Sequence, residues 1–428
     1  MPLRSNFEPG TSRWATRRAQ WRALGLTDED MVKPKIAIVN SSSQLAICFS
    51  HLDEIARRAR RAVEQAGGVA FEVRTAAPSD FITSAGHRGG YILSARDLIT
   101  NDIEVAVEGA LLDGMLCLAS CDKTAPGQLM AAARLNIPSV IVACGYQPGG
   151  ADVYRLFEKL AGRVPLLAAV RPNGEVPIEA FEDAGGARAV MKQLEPLLDV
   201  GALTVTGCTV GQNLAGVAVA DEDVIRPPER ALGHHPTIVL IRGSLAPDGG
   251  IVKLAVANVG GWGGGRGLDF AGPAVVFESP AQALDAVRGG QVSAGQVVVL
   301  RGQGPTGSPG MGMASQLVFA LDGADLTGRV AVVTDGQLSS LVNKGIVVGE
   351  VSPEAARGGP LALVRDGDLI RIDVSARTAD LDVPAVELQR RRGALRAPPR
   401  TEERGWLSIY QRLVRPLPEG AVLREPAP

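Results

Sequence analysis

The segment Ser120–Gly127, SCDKTAPG, places a thiol, a carboxylate and an amine at consecutive positions, Cys121, Asp122 and Lys123. A thiolate can hold iron, and a carboxylate suits a hard divalent ion such as Mg²⁺. A lysine beside a metal can lose its proton and act as a base or nucleophile. A loop with a buried cysteine and a surface Asp–Lys pair would have the same sequence, so the segment alone leaves both interpretations open.

Further candidate ligands follow other apolar runs of the sequence. Cys48 ends SQLAIC after KIAIVN, and Asp80 and His87 follow VAFEVR. In the second half of the chain, the apolar run VAVV is followed by TDGQL and then by Ser339. The cysteine spacing does not match a local iron–sulfur motif, so spacing alone does not predict a cluster.

The elements that must position these residues alternate between strand and helix. Strands are predicted at Lys35–Asn40, Val69–Arg74, Gly114–Ala119 and Ser139–Ala143, and helices at Trp14–Leu24, His51–Gln65, Ala95–Leu111, Gly127–Leu135, Val153–Leu160 and Pro177–Leu197. Such alternation with continuously apolar strands predicts a parallel sheet covered by helices on both faces, an α/β/α domain. Because ligands bind at the carboxyl ends of such strands, Cys48, Asp80 and the 121–123 segment are expected in one crevice.

After about residue 198 the pattern changes to short β-rich runs between Gly- and Pro-rich turns. Strands are predicted at Leu203–Thr206, Thr237–Arg242, Ala274–Phe277, Val297–Arg301, Val330–Thr334, Leu361–Val364 and Leu369–Val374. This pattern predicts a β-rich, barrel-like or sandwich domain. The predicted organisation is an N-terminal arm at 1–34, an α/β domain at 35–198, a β-rich domain at 199–395, and a peripheral helix and tail at 396–428.

Composition excludes several classes of protein. The 428 residues are 46% hydrophobic and 21% charged, and the formal net charge is −2, without a long run of one sign. This composition predicts a globular protein and argues against nucleic-acid or membrane-surface partners. The sequence shows neither a membrane span nor a signal-peptide pattern, so a cytoplasmic location is expected. Five cysteines are too few and too dispersed for a disulfide scaffold.

At these residues the chain resembles the dihydroxy-acid dehydratase / 6-phosphogluconate dehydratase family, which includes sugar-acid dehydratases. The likeness extends over nearly the whole length. It is carried by ALGLTDEDMVKPKIAIVNSSSQLAICFSHLDEIARRARRAVEQAGG, LLDGMLCLASCDKTAPGQLMAAARLNIPSVIV, RGSLAPDGGIVK, GPAVVFES, QVVVLRGQGPTGSPGM, VAVVTDGQLSS and VSPEAARGGPLALVRDGDLIRIDV.

The resemblance implies a hydro-lyase that converts a 2,3-dihydroxy acid or related hydroxy acid into a 2-keto acid. It also implies a [2Fe–2S] cluster, Mg²⁺ and a homodimer, with the C-terminal domain of the swivelling β-barrel type. By position, Cys48 and Cys121 match cluster ligands, Asp80 and Asp122 match magnesium ligands, Lys123 matches a lysine that becomes a carbamylated metal ligand, and Ser339 matches the serine that removes the C2 proton.

The sequence also departs from the family pattern. A central block that carries the third cluster cysteine is absent after GYQPGG, and Cys144 is a better placed substitute than Cys208. Cys117 lies within a predicted strand and is expected in the core. Met313 stands where the family has a metal-binding glutamate, and a thioether does not replace a hard oxygen ligand. TDGQLSSL replaces TDGRFSGG around Ser339.

Three functions therefore remain open from the sequence. The first is an active, divergent dehydratase with a substituted cluster ligand. The second is a cluster-free enzyme of a specialised biosynthetic pathway that keeps the hard-metal site. The third is a non-catalytic homologue that acts as a partner of a full-length relative. Retention of Cys48, Asp80, Ser339 and the 121–123 segment favours the first, whereas the missing block and Met313 argue against ordinary activity.

Overall fold

The structure, a computed structural model, describes part of the chain. The described residues are 3–45, 47–78, 82, 90–143, 158–171, 173–204, 206–255, 268–308, 314–338, 344–395 and 404–423, without the side chains of Ile47, Cys48, Asp122 and Ala143. The chain divides into two compact units, Met1–Gly150 and Ala151–Pro428. Each unit has its own sheet.

The first unit contains a four-stranded parallel sheet. Its strands are β1 Lys35–Asn40, β2 Val69–Arg74, β3 Gly114–Ala119 and β4 Ser139–Ala143, in the spatial order β2-β1-β3-β4. All four bounds agree with the sequence prediction. The central strands β1 and β3 are largely buried, and such strands are continuous apolar runs with sharp boundaries. The edge strands β2 and β4 are partly exposed but are also short, mostly apolar runs.

Helices cover both faces of this sheet. They are α1 Ser12–Ala23, α2 Ile47–Ser50, α3 Leu52–Gln65, α4 Gly90–Gly109 and α5 Cys121–Leu135. Leu52 of α3 packs with Ile38 on one face. Ile99 of α4 packs with Val39 on the other face, in a cluster that also contains Ala131 of α5. The predicted α/β/α arrangement is thereby confirmed.

The start of α5 corrects a sequence prediction. The helix was expected at Gly127 but begins six residues earlier, at Cys121. Pro126 lies inside the helix, where proline normally removes a hydrogen bond and kinks the backbone, so the Pro-Gly pair looked like a helix start. The Cys-Asp-Lys residues are therefore the first turn of a helix and not a loop before it.

The segment after the first unit contains short helices and turns. The helices are α6 Ile178–Asp183, α7 Gly186–Gln193 and α8 Val210–Leu214. The predicted single helix at Pro177–Leu197 is wrong, because Gly185 and Gly186 adopt positive φ angles of 111° and 59° and break it. The predicted strand at Leu203–Thr206 is also wrong, since Leu203 forms only an isolated bridge with Thr209.

The rest of the second unit forms a mixed eight-stranded sheet. Its strands are β5 Ile238–Ile241, β6 Gly249–Lys253, β7 Asp269–Phe277, β8 Val297–Leu300, β9 Ala331–Thr334, β10 Val347–Ser352, β11 Leu369–Asp373 and β12 Thr378–Asp382, in the spatial order β12-β11-β7-β8-β9-β10-β6-β5. The two ends of the sheet approach each other, because Arg242 after β5 bridges Thr378 of β12. The sheet is thus a nearly closed barrel, which confirms the barrel-like prediction.

Alternate residues of all eight strands form one core. The cluster includes Val239, Val252, Ala274, Val299, Val333, Val348, Ile370 and Ala379. The strand residues between them, such as Val298 and Val332, point to the other face of the sheet. Helices α9 Pro280–Arg288 and α10 Ser315–Gly323 pack against that face. The predicted strand at Leu361–Val364 is wrong, since Pro360–Leu363 form a 3₁₀ turn.

The C-terminal elements are α11 Ala385–Gly393 and α12 Gly405–Leu413. Tyr410 of α12 is fully buried and donates to the carbonyl of Ala421 at 2.6 Å. Gln411 donates to the carbonyl of Thr306 at 2.8 Å. Among the described helices of both units, none has the length and apolar composition to span a bilayer.

Candidate active site

The carboxyl edge of the parallel sheet brings three chain segments to one level. Asn40 of β1 is level with Arg74 of β2 and Leu118 of β3. The residues that follow these strands therefore begin side by side. A hydrogen bond of 2.7 Å between the hydroxyls of Ser41 and Thr75 joins the first two segments.

Cys121, the first residue of α5, has a backbone conformation that is rare for its residue type. Its φ angle is +69°, in the left-handed region that costs a non-glycine residue about 1 kcal/mol or more. The hydroxyl of Thr124 donates to the carbonyl of Ser120 and, at 3.3 Å, to that of Cys121. Outliers of this kind persist where the surroundings fix them, and they concentrate at functional sites.

Lys123 occupies the third position of α5 and is only 6% exposed. The N-terminus of a helix carries partial positive charge, which disfavours a cation and favours an anion within the first turn. Burial adds a further cost to a charged ammonium to the extent that its partners do not compensate it. A lysine here is therefore in a place that suits a negatively charged group better.

Behind the start of α5 lies a buried polar layer between α4 and α5. Its members are Ser94, Asp97, Thr100, Ser120, Lys123, Thr124 and Gln128. Thr100 donates to the carbonyl of Gly127 at 3.0 Å, and the Gln128 amide donates to the carbonyl of Leu118 at 3.1 Å. The layer is not satisfied at every atom, because Gln128 Oε1 is buried without a hydrogen-bond partner among the described residues. The bonds that are made hold the start of α5 against α4, as buried polar networks generally do.

A charged network fixes the ends of β1 and β2. The Asn40 amide donates to Asp53 at 3.1 Å and to Glu72 at 2.8 Å, and Arg74 forms ion pairs with both carboxylates. Partial desolvation would raise the pKa of Asp53, but hydrogen bonds from Ser42 and Asn40 and the charge of Arg74 outweigh it and lower this pKa. The network anchors the β1–α2 connection that leads to Cys48.

Two other described cysteines differ in environment. Cys117 is completely buried in β3, and desolvation raises the pKa of its thiol to about 12. It is a core residue, as the sequence predicts, and not a thiolate ligand. Cys208 is exposed in the second unit. Neither lies in the α5 segment.

In the second unit, the segment before Ser339 is built around Asp335, which sequence reasoning did not single out. Asp335 follows β9, is fully buried, and accepts backbone N–H groups of Gly302, Gln303 and Ala355 at 3.1, 2.8 and 2.8 Å. Burial raises its pKa to about 6, and the nearby charge of Glu354 adds to this effect. The sequence feature that could have indicated Asp335 is an acidic residue directly after the mostly apolar strand β9.

Glu354 holds the glycine-rich loop Gly302–Ser308 in the same way. It is 3% exposed and accepts the N–H groups of Thr306 and Gly307 at 3.0 and 3.1 Å. A Cβ at Gly304 would lie 2.4 Å from a Glu354 oxygen, so glycine is required there. Glycine-rich loops in other proteins can bind phosphate through their backbone amides. In this loop the amides named above donate instead to carboxylates of the same chain.

The predicted site residues are described to different extents. Cys121 and Lys123 are described fully, and Cys48 and Asp122 only by their helical backbone. Asp80, Cys144 and Ser339 lie outside the described residues, as do His87 and Met313. Within the described ranges, no three His, Cys, Asp or Glu side chains are grouped as a metal site. The predicted meeting of the ligands therefore stays a prediction.

The fold and the described part of the site define a two-unit α/β protein whose parallel sheet presents a Cys-Asp-Lys helix start at its carboxyl edge. Two family models match the chain. The N-terminal model of dihydroxy-acid/6-phosphogluconate dehydratases matches residues 33–158 and 151–213, and the C-terminal model matches residues 223–421. The chain belongs to the dihydroxy-acid/6-phosphogluconate dehydratase family.

Curated relatives match along almost the entire chain. Dihydroxy-acid dehydratase of Methanothrix thermoacetophila is 30% identical over 99% of this chain and 100% of its own length. The enzymes of the same name from Caldicellulosiruptor saccharolyticus and Methanothermobacter thermautotrophicus are each 30% identical, over 96% and 95% of this chain and 98% of their own lengths. These relatives are dehydratases, which are hydro-lyases.

The alignments also agree with the absence of a central block. The alignment with the Methanothrix enzyme runs over 556 residues against the 428 of this chain, so at least 128 positions have no counterpart here. The two matches to the N-terminal model meet at residues 151–158. A solved MccF-like protein from Streptococcus pneumoniae in complex with AMP aligns with 82% of this chain and 99% of its own, at 10% identity and a TM-score of 0.17, too low to indicate a shared fold.

Proposed function

We propose that this chain is a hydro-lyase that removes water from a 2,3-dihydroxy acid or a related hydroxy acid and releases a 2-keto acid. The observation that carries the proposal is the buried Lys123 in the first turn of α5, two residues after Cys121 at φ +69°. A structural loop would need neither a strained cysteine nor a buried lysine at this position. Membership of a family of dehydratases supports the same reaction class.

The environment of Lys123 fits a carbamylated lysine that helps to hold Mg²⁺. Carbamylation replaces an ammonium with an anion, which is the charge that a helix N-terminus stabilises. An anionic oxygen ligand also suits Mg²⁺. In this proposal Asp80 and Asp122 supply the other carboxylates.

The thiols fit an iron–sulfur cluster in part. Cys121 is partly exposed at the carboxyl edge of the sheet, and Cys48 belongs to the short helix α2 that follows β1. Cys117 does not fit, because it is completely buried within β3 in a hydrophobic core cluster. Cys144, directly after β4, is the proposed third ligand. When bound, the two metal centres supply Lewis acidity for the two hydroxyls of the substrate.

The proposed roles of the protein groups follow from the bonds that must break. Ser339 removes the proton from C2, the C3–oxygen bond breaks, and the C3 hydroxyl leaves with a proton as water. The resulting enol takes up a proton at C3 and releases the proton of its C2 hydroxyl, which gives the 2-keto acid. Lys123, Asp80 and Asp122 orient the substrate so that the C2 proton faces the base, which is the usual contribution of positioning.

Anaerobic purification followed by metal analysis and an activity assay tests the proposal. We expect a coloured protein with about two irons and two acid-labile sulfides per chain, and a 2-keto acid product from at least one substrate in a panel of branched 2,3-dihydroxy acids and sugar acids. Cys121→Ala should lose colour and activity. Cys208→Ala is the matched control and should keep both.

Each alternative gives a different result in the same experiment. A colourless protein that binds Mg²⁺ or Mn²⁺ indicates a cluster-free enzyme of another reaction. A colourless protein without metal affinity that co-purifies with a longer relative indicates a non-catalytic partner. Either result would overturn the proposed dehydration. Size-exclusion chromatography with light scattering on the same sample tests the proposed homodimer.

A further inference from the structure

A cavity lies between helix α1 and the residues that follow α4, at the amino edge of the parallel sheet. This cavity, termed the arm cavity, has a volume of about 470 Å³. Its walls include Phe7, Arg13, Thr16, Arg17, Gly109 and Leu111. Leu111 precedes β3 and Cys121 follows it, so the six residues of this strand, about 20 Å in length, separate the arm cavity from the candidate active site.

The face of α1 that lines the arm cavity is polar and cationic. Arg13, Thr16 and Arg17 are spaced i, i+3 and i+4, which places them on one face of the helix. Gln20, at i+7, continues this face. A helix that packs on a domain normally turns an apolar face toward it, but α1 contains no buried residue. Packing alone therefore does not account for this face.

Aromatic rings orient both arginines. The guanidinium carbons of Arg13 and Arg17 lie 4.4 and 4.5 Å from the centre of the Phe7 ring. The guanidinium carbon of Arg17 also lies 4.9 Å from the centre of the Trp21 ring. Such cation–π contacts hold a guanidinium by its flat face and leave the N–H groups at its edge available. The rings thus fix the two cations without neutralising their charge.

The positive charge of the arm cavity has little compensation. Among the described residues, neither Arg13 nor Arg17 forms an ion pair, and Arg17 spends one of its five N–H donors on the Ser5 carbonyl, at 3.1 Å. Of the nearest carboxylates, Glu108 is engaged in another ion pair, and Asp113 accepts the N–H and the hydroxyl of Ser5 at 3.0 and 2.6 Å. Burial and the charge of Arg13 lower the pKa of Arg17, although Asp113 acts in the opposite direction.

We propose that the arm cavity binds the phosphate group of a small phosphate ester. Such a group carries close to two negative charges at neutral pH and three strong acceptor oxygens, and arginine binds phosphate through paired N–H donors. The hydroxyl of Thr16, on the same face, is a further donor. A volume of about 470 Å³ lies within the range of roughly 300–1,000 Å³ that small-molecule sites occupy. Binding here does not depend on the proposed dehydration.

Isothermal titration calorimetry of the full-length, anaerobically purified protein tests the proposal. Inorganic phosphate and glycerol 3-phosphate should both bind saturably, with a Kd of about 1 mM or lower for the ester, whereas glycerol should not bind. Arg17→Gln should weaken binding about tenfold, and Arg13→Gln, at a more exposed position, severalfold. Arg61→Gln, at an exposed arginine of α3, is the matched control and should bind like the wild type. Phosphate bound at a metal centre would not respond to these substitutions.

Arginine modification by phenylglyoxal, followed by peptide mass spectrometry, locates the site. Glycerol 3-phosphate should slow the modification of Arg13 and Arg17 at least severalfold and leave that of Arg61 unchanged. Arg13→Glu keeps the hydrogen bond of Arg17 and should abolish binding, so it replaces Arg17→Gln if that variant fails to fold. Absence of saturable binding, equal affinity in all variants, or protection confined to other arginines would overturn the proposal.

Discussion

At the scale of single residues, the proposed metal chemistry depends on Lys123 and Cys121. Lys123 is buried in the first turn of α5, and the φ angle of Cys121 is +69°. An ammonium in that turn opposes the helix dipole, whereas a carbamate agrees with it. The helix dipole at this position thus favours a negative charge, whereas an unmodified lysine is positively charged.

Substitution of Lys123 tests this charge argument. Lys123→Met should weaken Mg²⁺ binding at least about tenfold, the scale expected when a metal site loses a supporting group. Lys123→Glu should retain more affinity than Lys123→Met, because it restores an anionic oxygen. Titration of metal-free protein with Mg²⁺ measures both, and equal affinity in all three proteins would contradict a ligand role for Lys123.

Asp335 predicts an unusual pH dependence of stability. Its pKa is about 6 in the folded protein against an ordinary value of 3.8. Between these values the folded state holds a proton that the unfolded chain has lost, so the contribution of this group is fully present below about pH 4 and is lost as pH rises through 6. The loss amounts to at most about 3 kcal/mol.

Urea unfolding of the wild type and Asp335→Asn at several pH values measures this contribution. The difference in free energy of unfolding between the two proteins should shift against the wild type as pH rises from about 4 to about 7. A difference that stays constant, or one that moves the other way, would show that Asp335 is ionised throughout the range.

At the scale of elements, the contact between α4 and α5 holds the site segment in place. A Cβ at Gly127 would lie 2.9 Å from the Arg96 carbonyl oxygen and 3.0 Å from the Ile99 Cβ. The two helices therefore approach each other as closely as they do only because residue 127 is glycine. The N-terminal turn of α5 with Cys121 depends on this approach.

Gly127→Ala should destabilise the protein by about 1–3 kcal/mol through overpacking and reduce its iron content. Gly109→Ala, at the end of α4, is the matched control, because a Cβ there meets no atom within 4 Å. That variant should be neutral or slightly more stable. Chemical denaturation and iron analysis compare the two, and equal stability of both variants would contradict the close packing.

The elements also show which parts of the fold the sequence can predict. The four parallel strands were predicted correctly because each is a short, mostly apolar run with clear boundaries, although the edge strands β2 and β4 are partly exposed. β6, β10 and β12 were missed, since Gly249 and Gly250 open β6, a register shift interrupts β10, and TADLD of β12 is half polar. The apolar run Leu361–Val364 is a 3₁₀ turn because Pro360 begins it. Local apolarity identifies buried strands but not irregular ones.

The candidate site was predictable to a smaller extent. Cys121 and Lys123 could be selected because thiol, carboxylate and amine stand together after an apolar strand. The φ angle of Cys121 and the burial of Lys123 could not be inferred, since neither backbone strain nor burial can be read from the local residue types. Asp335 was missed because its contacts with the 302–303 amides join segments distant in sequence.

At the scale of the whole molecule, the chain keeps both units of its family but lacks at least 128 aligned positions of its relatives. The matches to the N-terminal model meet just after β4, at residues 151–158. The match to the N-terminal family model is interrupted at this point of the chain. The proposed dehydration must therefore proceed at a site without this block.

Dehydration in D₂O with proton NMR detection tests that requirement most directly. The anaerobically purified protein is incubated with each 2,3-dihydroxy acid of the panel. The wild type should give a 2-keto acid that carries one solvent deuteron at C3, because the enol is protonated there, and Ser339→Ala should give no product. Intact substrates after prolonged incubation with iron- and magnesium-replete protein would contradict the assignment as a dehydratase.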